Sequence, residues 1–545
     1  MDTEHLDADS CYRAVTARDA RFDGLFFTAV KTTGVYCRPV CAARTPRRSS
    51  CDFYRTAAGA ERAGFRPCLR CRPELAPGRA DFNTTLAEAI LAHLQAGALD
   101  AGSGETLARD IGLSSRQVRR ILLDQFGVTP IEVAQTQRLL FAKKLLQETE
   151  LSMTQLAFAS GFQSLRRFNA AFAEQYGLAP SQLRRNARRE FSDVAREYAN
   201  QNASDDGARA ERSSPASDAD ITLRLAYRPP FDWDTMCEYL ARRATAGVEQ
   251  VDRANGEAVY RRTVSLTTER GLVTGWLAVS HGKRERAGRK SHAHVLTVTL
   301  SNTLLPVLMS ATLRLRELFD LDCDPARIAA HLESDPLLAP EVKAAPGLRM
   351  PGAWDRFELA LRAVLGQQVS VVGASTLSGR IALRFGTAIV TPFAGLDRAA
   401  PTVEVLASAE LADIAAIGMP KSRANTIREL ARFAAGGGLR MTPGTSCDDA
   451  VSALDAVAGI GPWTAHYIAM RALRYPDAFP AGDLGLRKAL GALEGKDGVP
   501  SEAALERRAE VWRPWRAYAA ATLWHSLSRH GAATHGVATK KGKRS

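Results

Sequence analysis

The chain lacks any uninterrupted apolar run near the ~18 residues that a membrane helix requires. No membrane partner is expected. Its first residues, Met1-Asp2-Thr3-Glu4-His5-Leu6-Asp7, lack the positive charge and apolar stretch of a secretory signal, and a cytoplasmic location follows as the expectation. Cysteine is scarce over most of the length. Of nine cysteines, six precede residue 72, and only Cys237, Cys323 and Cys447 follow. A disulfide framework is thereby excluded for a long cytoplasmic chain, and the N-terminal concentration of thiols calls for another use.

What is present is ordinary in composition, with 46% hydrophobic and 24% charged residues, but 545 residues exceed one hydrophobic core. At roughly 150 residues per domain, three or four domains are expected. The net charge of +13 favours a polyanionic partner, usually nucleic acid, because each neutralised phosphate releases counterions. A soluble basic protein without such a partner carries the same charge, so this feature alone does not decide.

Composition divides the chain. Residues 1–80 are rich in cysteine and arginine, with short strand and turn signals such as Gly24-Leu25-Phe26-Phe27-Thr28-Ala29-Val30. Apolar spacing of three and four residues predicts helices over 82–190. Residues 191–220, with few large apolar side chains, read as a flexible linker. Over 221–335, Val259–Val264, Gly275–Val279 and His294–Leu300 alternate as strands with one buried face, with the basic turn Lys283-Arg284-Glu285-Arg286 between the last two. Helical spacing returns over 338–530, and 531–545 reads as a basic tail whose end, Lys540-Lys541-Gly542-Lys543-Arg544, is expected to be disordered and to add nonspecific phosphate affinity.

Cys37-x3-Cys41 and Cys68-x2-Cys71 are two close pairs separated by 26 residues. Two such pairs on turns suit the tetrahedral, soft-ligand preference of zinc. Spacing alone describes an inert staple better than a reactive centre. Cys11 and Cys51 fit neither pair and read as ordinary cysteines. The surrounding residues say more: Thr32-Thr33-Gly34-Val35-Tyr36-Cys37-Arg38-Pro39-Val40-Cys41, with Gly64-Phe65-Arg66-Pro67-Cys68-Leu69-Arg70-Cys71, resemble the N-terminal domain of Ada-type DNA alkylation-response proteins. The resemblance implies one Zn²⁺ held by four cysteines, and Cys37 as acceptor of a methyl group from a DNA phosphotriester. It also places Thr33 and Arg44 beside the DNA. Four thiolates on one Zn²⁺ carry a formal charge of −2, which repels phosphates; methylating one removes part of that charge, making an electrostatic switch.

Next come two helix–turn–helix patterns. In the first, Leu107–Ser114 leads to a helix capped by Ser114 or Ser115, whose Val118, Ile121, Leu122 and Phe126 share one face. Arg116, Gln117, Arg119 and Arg120 are left outward, as on a recognition helix. The second runs from Met153 to Tyr176, with Phe168 and Phe172 inward and Gln163, Ser164, Arg166, Arg167 and Asn169 free to face out. One such pattern more often marks a plain helical bundle. Two, joined by a helix over about 130–147, resemble the AraC-type DNA-binding domain, which implies promoter DNA and RNA polymerase as partners.

Near the C-terminus, Gly459-Ile460-Gly461-Pro462-Trp463 has the form of a helix-hairpin-helix, where Gly459 and Gly461 permit a tight hairpin and backbone approach to a phosphate. Asp483 follows Gly461 by 22 residues. An isolated aspartate near a turn is usually a helix cap. Taken with Leu365-Gly366-Gln367-Gln368-Val369-Ser370, Trp512-Arg513-Pro514-Trp515 and Tyr227-Arg228-Pro229-Pro230-Phe231-Asp232-Trp233, however, it resembles the AlkA-type alkylbase DNA glycosylases over about 221–530. That resemblance implies base flipping on double-stranded DNA, an aromatic pocket of Trp463, Tyr467 and Trp524 for a cationic purine, and Asp483 as the catalytic carboxylate. A monovalent cation at the hairpin backbone and monomeric action are further expectations.

Three departures bear on mechanism. Trp463 stands where strand-cleaving relatives carry lysine, so no lyase activity is expected. No cysteine follows Cys447, so no iron–sulfur cluster is expected. Gln368 occupies the position of a wedging leucine, and His525 stands where the family can have tyrosine. No Pro-Cys-His-Arg site for guanine-O6 demethylation is found.

The expected fold is multidomain α+β: a small zinc-bound α/β domain, an all-α double helix-turn-helix domain, an antiparallel sheet with helices (TBP-like), and an all-α helix-hairpin-helix domain. The expected activity is bifunctional, joining methyl acceptance and transcription activation to base excision. Two alternatives stay open: a regulator whose glycosylase half only grips DNA, or a glycosylase with a purely structural zinc module.

Overall fold

The computed structural model describes residues 7–77, 86–95, 104–186, 220–254, 256–268, 271–281, 294–440, 445–495 and 498–541. The expected linker (except Asp220) and the basic turn at 283–286 lie outside these residues. The chain forms two compact units. One comprises Met1–Pro77, Ile90–Ala226 and Leu266–Thr312; the other comprises Gly78–Ala89, Tyr227–Ser265 and Leu313–Ser545.

In the first unit, β1 (Phe27–Val30), β2 (Val35–Cys37), β3 (Cys51–Tyr54) and β4 (Arg66–Pro67) make a sheet of order β3-β1-β2-β4. Its core joins Phe27, Ala29, Tyr36, Ala57 and Ala60 to Leu140 of helix Pro130–Glu148. That helix starts with a capping box, Thr129 with Glu132, and Pro130 at a position where a backbone N–H is not needed. Helix Ser115–Phe126 is capped by Ser114, not Ser115, and closes on Gly127 in the left-handed conformation at φ 67°. Helix Leu165–Tyr176 begins after the cap Ser164, so Gln163 lies in the turn before the helix.

The segments expected as strands lie in β7 (Glu257–Thr268), β8 (Gly271–His281) and β9 (Val295–Leu300). Together with β5 (Ile221–Ala226) and β6 (Glu249–Ala254) they give the order β5-β9-β8-β7-β6. The described pairings, β5 with β9, β8 with β9 and β6 with β7, are antiparallel. In β5 and β9 alternate residues are buried, the pattern of a sheet with one covered face.

The second unit is dominated by helices around one apolar cluster that runs from Cys323 to Leu523. Helix Arg516–Lys541 continues through residues 531–541 of the expected basic tail; of the end expected to be disordered, residues 542–544 lie outside the described residues. Extending an existing helix adds a hydrogen bond for each residue fixed without a new nucleation cost, and the segment holds no proline to stop it. Among the described residues, no helix is long and apolar enough to cross a membrane.

Candidate functional sites

The four cysteines are brought together by the small sheet. β2 ends at Cys37 and pairs in parallel with β4, Val35 opposite Arg66 and Tyr36 opposite Pro67, which sets Cys68 beside the end of β2. The Cys68 N–H donates to the Tyr36 carbonyl at 3.0 Å. All four sulfurs lie within 4.8 Å of one another. A tetrahedral Zn²⁺ with bonds of about 2.3 Å spaces its sulfurs about 3.8 Å apart, so the set fits the ion after small side-chain adjustment.

The thiols hydrogen-bond among themselves. Those bonds pull the Cys68 thiol far down and Cys41 to about 7, while Cys37 and Cys71 are pushed up. Arg38 braces the cluster: its backbone N–H donates to Cys71 Sγ at 3.4 Å, its guanidinium to the Cys71 carbonyl at 3.2 Å and to Asp23. Cys37 is only 9% exposed, whereas Thr33 and Arg44 are exposed. Cys11 and Cys51 are buried elsewhere, with burial raising both thiols.

On the first recognition helix Val118 and Leu122 are buried, and Arg116, Gln117, Arg119 and Arg120 are exposed. Gln117, expected to face DNA, caps its own helix, since its Oε1 accepts from the Ser114 N–H at 2.9 Å. In the second unit of the pair Phe168 and Phe172 are buried, and Gln163, Arg166, Arg167 and Asn169 are exposed.

The hairpin lies between helices Cys447–Asp455 and Pro462–Arg471. Its two glycines differ. Gly459 has φ 86°, and a Cβ there would stand 1.9 Å from Thr426 Oγ1. Gly461 has an ordinary φ of −104° and nothing within 4 Å of an added Cβ. The tight hairpin therefore demands glycine only at 459, correcting the joint assignment; the open space at 461 suits close approach by an external backbone. Gln367 Nε2 ties the turn to the Gly459 carbonyl at 3.0 Å. Gln368 is exposed with φ 55°, a strained left-handed conformation for a non-glycine residue. Val369, Val371 and Val372 beside it are also exposed.

Asp483, expected as the catalytic carboxylate, is a helix cap. Its Oδ1 accepts from the Leu486 N–H at 2.9 Å, opening helix Leu484–Leu493. The same oxygen accepts from Trp524 Nε1 at 2.9 Å, and Oδ2 accepts from Trp463 Nε1 at 3.1 Å. Trp463 stacks on Tyr467 with ring centres 5.4 Å apart and planes at 15°, and Trp524 meets Tyr467 edge-on at 6.4 Å. Gly485 makes this possible, because a Cβ there would come within 2.9 Å of Asp483 Oδ1.

Sequence reasoning missed Tyr239, Arg243, Arg471 and Gly485. Arg471 donates to the Tyr467 hydroxyl at 2.7 Å and to the Tyr239 hydroxyl; the two hydroxyls are 3.2 Å apart. Arg243 lies over the Tyr239 ring at 3.8 Å. Burial opposes ionisation of Tyr467, but Arg471, Arg243, the Tyr239 hydroxyl and Arg362 together bring it down to about 8. His525 is half-buried, and burial lowers its imidazole below the usual value.

A cysteine cluster, paired helix-turn-helix units and a helix-hairpin-helix with a carboxylate in an aromatic pocket define a DNA-handling protein of several modules. Sequence profiles agree. The metal binding domain of Ada matches residues 10–74, a helix-turn-helix domain 107–186, the AlkA N-terminal domain 222–355, and the HhH-GPD superfamily base excision DNA repair protein 361–514. A protein of Mycobacterium tuberculosis, "Probable bifunctional transcriptional activator/DNA repair enzyme AlkA", is 37% identical over 96% of this chain and 97% of its own. The chain belongs to that family of fused Ada- and AlkA-type proteins. DNA-3-methyladenine glycosylase 2 of Escherichia coli is 34% identical over 55% of this chain and 96% of its own. The Escherichia coli bifunctional transcriptional activator/DNA repair enzyme Ada is 32% identical over 33% of this chain and 49% of its own.

Proposed function

We propose that the chain excises alkylated bases of the 3-methyladenine type from double-stranded DNA and records methyl phosphotriesters on Cys37 to activate transcription. The observation that carries the excision reading is the Asp483 carboxylate, fixed by two indole N–H groups beside the stacked Trp463–Tyr467 pair. A flipped cationic purine is attracted to those ring faces. Asp483 stabilises positive charge on the sugar as the glycosidic bond breaks, or orients the attacking water. With Trp463 in place of lysine, no Schiff base forms and the strand stays intact.

At the front, Cys37, Cys41, Cys68 and Cys71 would hold Zn²⁺, which would keep the thiols deprotonated at neutral pH. The Cys37 thiolate attacks the methyl carbon; an S–C bond forms, the C–O bond breaks, and the phosphate leaves as a diester anion. Thr33 and Arg44 face the DNA there, and the exposed arginines of the two recognition helices, with Gln117 and Gln163, meet promoter DNA. RNA polymerase is the partner that activation requires. A monovalent cation at the hairpin carbonyls remains part of the proposal.

Base release from methylated DNA tests the first claim. Wild type frees alkylated purine, and Asp483→Asn slows release by about 10²-fold or more; no release by wild type overturns it. Mass spectrometry after exposure to methyl phosphotriester DNA is expected to find one added methyl on Cys37 and none in Cys37→Ser. Methyl on Cys11 or Cys51 instead sinks the assignment.

A further inference from the structure

Between the cysteine cluster and β5 runs a buried chain of charges that the proposed chemistry does not use. Lys143, fully buried on helix Pro130–Glu148, donates to the Cys68 carbonyl at 3.3 Å and to Glu74 Oε2 at 2.6 Å. Arg72 donates to Glu74 Oε1 at 3.1 Å and to Glu148 Oε1 at 2.9 Å. Glu148 ends the helix, and its other oxygen, Oε2, accepts from the backbone N–H of Arg224 at 3.0 Å.

That last contact crosses modules. Among the described residues β5 is an edge strand, paired with β9 alone, with Arg224 opposite Thr297. An edge strand presents unpaired N–H groups, and proteins cover or charge such edges. Glu148 is 2% exposed at its side chain, Glu74 1% and Arg72 12%, so these charges are withdrawn from water and hold only because each finds partners. A second contact is independent of the charges: helix Met153–Ala159 packs against the turn Asn302–Val307, which follows β9.

We propose that helix Pro130–Glu148 is a strut that fastens the cysteine module to the edge of the AlkA-type sheet. Glu148 is its terminal clamp, and the edge of β5 is a docking surface for the DNA-reading half of the same chain. The three elements then move as one body. This does not depend on whether Cys37 accepts a methyl group or Asp483 releases a base.

Hydrogen exchange of the full chain tests it, read at the Arg224 amide. In wild type this amide is expected to be protected although it lies on an edge strand. In Glu148→Ala its exchange speeds by about ten- to a hundred-fold, while Val298 in β9 and Ala29 in β1 stay protected. Glu148→Gln, which keeps an acceptor, is expected to fall between the two. A fast Arg224 amide in wild type, or one unchanged in Glu148→Ala, overturns the proposal. If Glu148→Ala also exposes Val298, the Glu148→Gln comparison decides: an Arg224 amide as slow as in wild type with Val298 protected overturns the clamp, and selective acceleration supports it.

Discussion

At the scale of single residues, the proposed excision site turns on how one carboxylate is held. Asp483 accepts three hydrogen bonds, two from indoles that also wall the pocket. Trp524→Phe keeps an aromatic face but removes the donor to Oδ1. Losing a hydrogen bond to a charged acceptor costs about 1.5–3 kcal/mol, equivalent to a roughly ten- to hundred-fold slower step. Single-turnover base release is expected to fall by that factor with lesion binding little changed; an equal loss in binding and rate would mean that Trp524 serves only as a wall. Tyr467 gives a second prediction. Its phenol is lowered from 10.0 to about 8 against the opposing effect of burial. Below about pH 8 the phenol is neutral in both folded and unfolded states and contributes nothing. Between about 8 and 10 only the folded state holds the anion, so stability from this group grows with pH and is fully present above 10; it is lost as pH falls through 8. An ultraviolet tyrosinate titration is expected to show one midpoint near 8, absent in Tyr467→Phe. No midpoint below the ordinary tyrosine range would contradict the arginine cluster's effect.

At the scale of elements, the hairpin separates two glycines that look alike in sequence. Gly459→Ala forces a side chain into left-handed backbone and onto Thr426, and is expected to destabilise the protein by about 1–3 kcal/mol, lowering the midpoint of thermal unfolding. Gly461→Ala meets empty space and is expected to leave that midpoint unchanged while weakening DNA binding, measurable by fluorescence anisotropy. The reverse pattern would refute the division of roles. The same pair shows what local sequence carries. The cap at Ser114 (with Ser115 as its alternative) and the strand segments of β7 to β9 were legible, because such signals act within a few residues, whereas the caps Thr129 and Ser164 and the stop at Gly127 were not read out. The cysteine set was legible from spacing, and the proposed methyl acceptor among them only through resemblance. Tyr239 was not legible, because it meets Tyr467 across 228 positions and nothing near it signals that contact. Gly485 is likewise explained only by the indole and carboxylate beside it.

At the scale of the whole molecule, the front modules are not beads on a string. Leu140 of the DNA-reading helices completes the core of the cysteine module, and Ala58 of the cysteine module sits in the core formed by Ile90, Leu94, Leu107, Val118, Leu122 and Val133. Neither cluster is closed without the other's residue, so the two are expected to melt together. The helix-hairpin-helix cluster, from Cys323 to Leu523, draws on neither. Zinc-binding free energies of about 10–16 kcal/mol in small zinc-folded peptides make the ion a large part of such a module's stability. Chelation should therefore remove or strongly lower one calorimetric transition that contains both front clusters, and leave the transition of the helix-hairpin-helix core near its original temperature. Hydrogen exchange would locate the loss: amides at Ala29 and Leu122 should lose protection together, whereas those at Leu454 and Ile468 should keep it. If chelation exposes Ala29 but leaves Leu122 protected, the shared core does not couple the modules. If it exposes neither, the four cysteines do not hold a metal on which folding depends.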